Sequence, residues 1–77
     1  MSAVDFDTKC MYVIEMIVSI NEKNTREDAI VIAQKQLEKV NESGEQDYIA
    51  VYERVLKKLQ CYSDYEYELI KKRVFDI

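Results

Sequence analysis

"CMYVIEMIVSI", residues 10–20, is the most apolar stretch of the chain and the one that decides how the rest is read. It is eleven residues long and contains Glu15. Crossing a bilayer takes about 20 apolar residues, so the stretch is a buried helix with no membrane role. On a helical wheel, Phe6, Cys10, Val13, Ile14 and Ile17 form the centre of an apolar face. Met11 and Val18 widen that face on one flank, and Met16 and Ile20 on the other. The arc covers roughly 200°, about twice what a surface helix needs, and leaves Thr8, Glu15, Ser19 and Glu22 as its polar strip. A helix of this kind is central to its fold or has a second apolar neighbour, such as another copy of the chain.

Start signals outward from this helix place three more. The first helix is expected from near Ser2 or Asp5 to about Ile20, with "INEKN" as the break. The second opens at Thr25, with Asp28 in the acidic position of a capping box, and runs to about Val40. Gly44 suits the left-handed conformation just past that helix. The third starts within "SGEQDY", where Ser43 and Gln46 have box spacing, and the fourth at Ser63, with Glu66 three residues on. The expectation is an all-α fold, a compact bundle of four short helices forming a single domain over residues 1–77. The third and fourth become one long helix if residues 61–64 stay helical. Apolar stripes fall on Ile30, Ala33, Leu37 and Val40, then on Tyr48, Tyr52, Val55, Leu56 and Leu59, and last on Leu69, Ile70, Val74 and Ile77. Val31 and Ile32 lie off the second stripe, and Tyr65 and Phe75 off the fourth.

Composition agrees. The 77 residues include no proline and one glycine, with 48% apolar and 34% charged residues, a globular balance with little to punctuate a β-rich fold. A chain this short sits near the lower limit for folding alone and depends on good helix packing or a partner. Two cysteines, Cys10 and Cys61, cannot build a disulfide scaffold. Asp5, Asp7 and Lys9 interrupt any leader-like start, so the expectation is a cytoplasmic, intracellular protein with reduced thiols. Cys10, centred on the apolar arc, reads as core, and Cys61 as the more accessible thiol.

Net charge is −4, unevenly spread. Residues 1–53 carry eleven acids and five bases, and residues 54–77 six bases and four acids. Nucleic-acid binders usually carry a basic excess, so direct nucleic-acid binding is disfavoured and a basic protein partner fits better. Histidine is absent, which removes the commonest general base, the Ser–His and Cys–His nucleophile systems and the commonest transition-metal ligand. Two cysteines without histidine are too few for structural zinc, and one glycine cannot supply a phosphate-cradling or calcium loop. The reading is non-enzymatic, with no catalytic residue, cofactor or metal.

Tyrosine is the enriched type that interfaces favour, with six in the chain. Tyr62, Tyr65 and Tyr67 alternate with Asp64, Glu66 and Glu68. The order of acids and then Lys71, Lys72 and Arg73 already suits the macrodipole of a fourth helix. What the dipole leaves over is the clustering of rings and the off-stripe Tyr65 and Phe75. These residues, Tyr62 to Glu68 with Phe75, are the candidate partner-binding patch, a tyrosine-and-acid surface of the kind that grips lysine-rich or arginine-rich partners. Met11, Val18, Val31 and Ile32 are the candidate oligomer interface. The function expected is protein–protein binding by a small acidic helical protein of the inhibitor, immunity-type or modulator class. The alternatives are a structural homo-oligomer, such as a homodimer, or a nucleic-acid mimic or binder, the binder using Lys57, Lys58, Lys71, Lys72 and Arg73.

Overall fold

A computed structural model describes residues 5–76. The structure is all-α, with four helices in the order α1 (Phe6–Val18), α2 (Arg26–Ser43), α3 (Gln46–Cys61) and α4 (Asp64–Phe75). Their beginnings are set by side chains. Asp5 caps α1 by accepting the Thr8 N–H at 2.8 Å, which also holds the Asp5 carboxyl below its ordinary range. The alternative start at Ser2, and Ile77 of the last stripe, lie outside the described residues. Thr25 and Asp28 form a complete capping box at α2, as do Ser63 and Glu66 at α4. Each box satisfies two backbone donors that a helix start would otherwise leave orphaned.

The ends follow the same logic. Gly44 takes φ 74° past α2, a left-handed conformation that costs glycine nothing. The helix before it runs to Ser43, one turn beyond the expected end at Val40. Ser43 therefore belongs to that end, its hydroxyl donating to the Val40 carbonyl at 3.1 Å, and α3 starts on Glu45 without a side-chain cap. Tyr62 is extended, at φ −65° and ψ 144°, so α3 and α4 are separate helices.

α2 and α3 form the broadest helix pair, and α1 lies against α3 and α4. The core joins Cys10, Ile14, Ile17 and Val18 of α1, Val51, Val55 and Leu59 of α3, and Tyr67 and Ile70 of α4. α2 contributes Ala29 and Ala33, both fully buried. Their lack of bulk lets the α2 backbone approach its neighbours, which is why this polar helix packs with only two buried residues.

Three helices depart from their expected faces. In α1 the buried side is centred between Cys10 and Val18, roughly 40–50° from the middle of the apolar arc. Val18 is fully buried, and Met11 and Ile32 pack half-buried against the core. Three of the four residues expected at an oligomer interface are thus inside, and only Val31 is exposed. In α4, Tyr67, not Leu69, joins Ile70 and Val74 on the inner side, and Lys71 is buried beside them. In α3, Val51 takes the inner position and Tyr48 turns out to solvent.

Candidate functional site

In the segment from Tyr62 to Glu68 the fold buries Tyr67 and half-buries Tyr62, while Asp64, Tyr65, Glu66 and Glu68 stay exposed. Asp64 accepts from Arg26 Nε at 3.1 Å, and Arg26 Nη1 also donates to the Leu59 carbonyl at 3.2 Å. One guanidinium therefore joins the start of α2, the end of α3 and the start of α4. Glu66 Oε1 accepts the Ser63 N–H at 2.8 Å as half of its capping box. Glu68 sits 3.6 Å from Lys71 on its own helix. Tyr62 is half-buried, its hydroxyl 3.8 Å from the Met11 sulfur. Burial pushes the Tyr62 hydroxyl above its ordinary range, with the Glu66 carboxylate adding to the rise and Arg73 opposing it.

Tyr67 departs furthest from expectation. It is among the largest fully buried side chains, and its hydroxyl has no hydrogen-bond partner among the described residues. Burial first, then the Glu68 and Asp28 carboxylates, pushes that hydroxyl up to about 12. Phe75 is half-buried against the core. Of the candidate patch, Tyr65 alone presents a ring to solvent, at 72% exposure. The structure thus withdraws Tyr67 from the patch, half-buries Tyr62 and Phe75, and sets Phe75 at the opposite end of α4 from the exposed Asp64, Tyr65, Glu66 and Glu68. The basic residues proposed for nucleic acid are also dispersed. Lys71 is buried and donates to the Asn24 carbonyl at 2.9 Å, and Arg73 pairs with Glu15 at 3.0 Å.

A different surface emerges on the outward side of α1. Tyr12, Met16 and Ile20 follow one another at a spacing of four and are 64%, 54% and 62% exposed. Tyr48, turned out from α3, shares a shallow cleft of about 330 Å³ with Tyr12, Val13 and Val51. Lys9 and Asp47 edge that cleft. On the other side Tyr12 and Met16 border a second depression, with the Glu15–Arg73 pair and Val74. Rings and a thioether thus run along one face, rimmed by charges of both signs. Scattered exposed apolar residues are ordinary, whereas a connected set with a polar rim is the form of a contact surface. The sequence contained the signal in the width of the apolar arc of α1. It did not say which flank the neighbours would leave uncovered.

A third feature is a cleft of about 470 Å³ between the end of α3 and the start of α4. Arg54, Lys57, Lys58, Cys61, Tyr62 and Glu66 line it. Cys61 is exposed there, while Cys10 is buried, and burial pushes the Cys10 thiol up. Among the described residues, no three His, Cys, Asp or Glu side chains gather where they could hold a metal ion, and no helix is long and apolar enough to cross a membrane. No family model matches the chain, and neither a curated protein nor a solved structure matches it.

Proposed function

We propose that the protein acts without catalysis, by binding another protein through the outward side of α1. The observation that carries this reading is the connected exposure of Tyr12, Met16 and Tyr48, with the exposed Ile20 just past the end of α1. Large rings and a flexible thioether, rimmed by Lys9, Asp47 and the Glu15–Arg73 pair, have the make-up of an interface centre with a polar edge. Tyrosine adds contact area at small entropic cost because it has few rotatable bonds. The mixed signs of the rim favour a contact led by apolar surface, with charges setting orientation. The inhibitor, immunity-type and modulator roles are consistent with such a module, and they differ only in the identity of the partner.

The test compares the wild type with a Tyr12→Ser, Met16→Glu double variant. Both positions are exposed, so circular dichroism and melting temperature are expected to stay close to wild type. In affinity capture from the native host, a defined partner should be retained by the wild type and lost by the variant. Retention of the same partner by both rejects α1 as the interface. Sedimentation of the pure protein gives the competing outcome. A concentration-dependent dimer that the same variant abolishes assigns the face to a second copy, and the protein is then a homo-oligomer module.

A further inference from the structure

We propose that the cleft at the α3–α4 junction binds a small phosphorylated ligand through Arg54, Lys57 and Lys58. This inference is independent of the α1 surface and concerns a different ligand class. The chain as a whole is acidic, at −4, yet three of its eleven bases line this one depression. Its volume, about 470 Å³, falls within the usual range for small-molecule sites.

The ordinary explanation for Lys57 and Lys58 is the negative end of the α3 macrodipole. The structure weakens it, because two of the last carbonyls already have donors. The Lys58 carbonyl accepts the Tyr62 N–H at 3.0 Å, and the Leu59 carbonyl accepts from Arg26. Lys57 and Lys58 themselves have no ion pair or side-chain hydrogen bond among the described residues. Arg54 lies 3.5 Å from Asp7 and over the Phe6 ring, which steadies a guanidinium whose five donors are not exhausted by one carboxylate. A planar fork beside two ammonium groups is the donor set that phosphate oxygens satisfy.

The opposing group is Glu66, the only acid among the described residues of the lining, and it is held in the α4 capping box. It gives the proposal a second handle. Glutamine can fill the same box without the charge, so Glu66→Gln keeps the helix start and removes the repulsive carboxylate of the lining, leaving Asp7 beside Arg54.

The experiment follows backbone amide shifts of residues 54–66 during titration with inorganic pyrophosphate, with ionic strength held constant by sodium chloride. A saturable response centred on the cleft is expected. Lys57→Gln with Lys58→Gln should weaken it about tenfold, and Glu66→Gln should strengthen it about two- to threefold. Should the double variant fail to fold, Lys57→Gln alone, at an exposed position, should still weaken binding about threefold. Cys61 supplies a second readout within the same lining. Its rate with anionic iodoacetate relative to neutral iodoacetamide should fall severalfold in the lysine variants. A non-saturable response, equal binding by wild type and lysine variants, or an unchanged reagent ratio overturns the proposal. So does binding of a polyglutamate peptide at the cleft where pyrophosphate does not bind, which would reassign it to an acidic protein segment.

Discussion

The start of α4 and the outward side of α1 are built from similar materials, large apolar or aromatic side chains alternating with charges. Around the start of α4, polar groups have partners within the molecule: the exposed Asp64 with Arg26, the exposed Glu66 with the Ser63 N–H, and the buried Lys71 with the Asn24 carbonyl. One of its rings, Tyr67, is in the core. Along α1, Tyr12, Met16 and Ile20 are more than half exposed, and only the rim is paired, through Glu15 and Arg73. Density of tyrosine and charge therefore does not locate a surface. What separates the two regions is whether each group's partner lies inside the molecule, a question about tertiary neighbours.

The sharpest way to break this comparison is to truncate one ring from each region. Tyr67→Ala should cost about 3–5 kcal/mol, because a fully buried aromatic leaves a cavity. That is a large part of the stability of about 4–12 kcal/mol expected for a domain of this size. Tyr12→Ala should stay within about 0.5 kcal/mol of wild type. Urea unfolding midpoints measure both, and equal losses would mean that the two regions are not distinct.

Alkaline pH probes the same ring more gently. In an unfolded chain tyrosine ionises near 10, whereas burial holds Tyr67 neutral up to about 12. Below pH 10 both states keep the proton and stability is unaffected. Between pH 10 and 12 the unfolded chain loses its proton first, so the unfolded state gains and stability falls, by about 2–3 kcal/mol at the upper end. Tyr67→Phe removes this loss, and the difference between the two pH profiles isolates Tyr67 from the other titrating groups. At neutral pH the Phe variant should be at least as stable, since the deleted hydroxyl has no partner among the described residues. A profile for the wild type that parallels that of the variant would place the ring in contact with water.

Next in size is the cap of α4. Ser63→Ala removes the acceptor of the Glu66 N–H, now at 3.1 Å, and should cost about 1 kcal/mol. An unchanged unfolding midpoint would show that α4 is positioned by Arg26 and Lys71 alone.

The caps were legible in the sequence because they are local. Thr25 with Asp28, Ser63 with Glu66, and Gly44 depend on residues at most three apart, and each performs its expected role. Helix number and fold class followed from them. Helix rotation was not legible, because it is settled between helices. In α4, apolar side chains occur almost all round, at Tyr65, Tyr67, Leu69, Ile70, Val74 and Phe75. The expected stripe ran through Leu69, Ile70, Val74 and Ile77. The structure buries the Lys71 stem and lets its ammonium reach the Asn24 carbonyl, which brings Tyr67 inward and leaves Leu69 exposed. In α1 the wide arc was legible, but its uncovered flank proved to be Met16 and Ile20, beside Tyr12, which the arc had not included, where Met11 and Val18 had been expected.

The smallest expected effect falls on Tyr65, which left the α4 stripe together with Phe75. The structure separates them. Phe75 is half-buried against the core, so Phe75→Ala should cost a measurable amount, on the order of 1–2 kcal/mol, below the value for a fully buried ring. Tyr65 is 72% exposed and makes no hydrogen bond among the described residues. Its hydroxyl and most of its ring are already in water, so alanine there loses little burial and gains slightly in helix propensity. Tyr65→Ala should therefore shift the unfolding midpoint by less than about 0.5 kcal/mol equivalent. The same variant also weighs what remains of the tyrosine-rich segment as a recognition surface. If a partner captured through α1 is still bound by Tyr65→Ala, that segment is a structural junction throughout. If binding is lost while the unfolding midpoint holds, the contact surface extends from α1 to the exposed side of α4, and the contrast between the two regions narrows to Tyr67 and its buried neighbours.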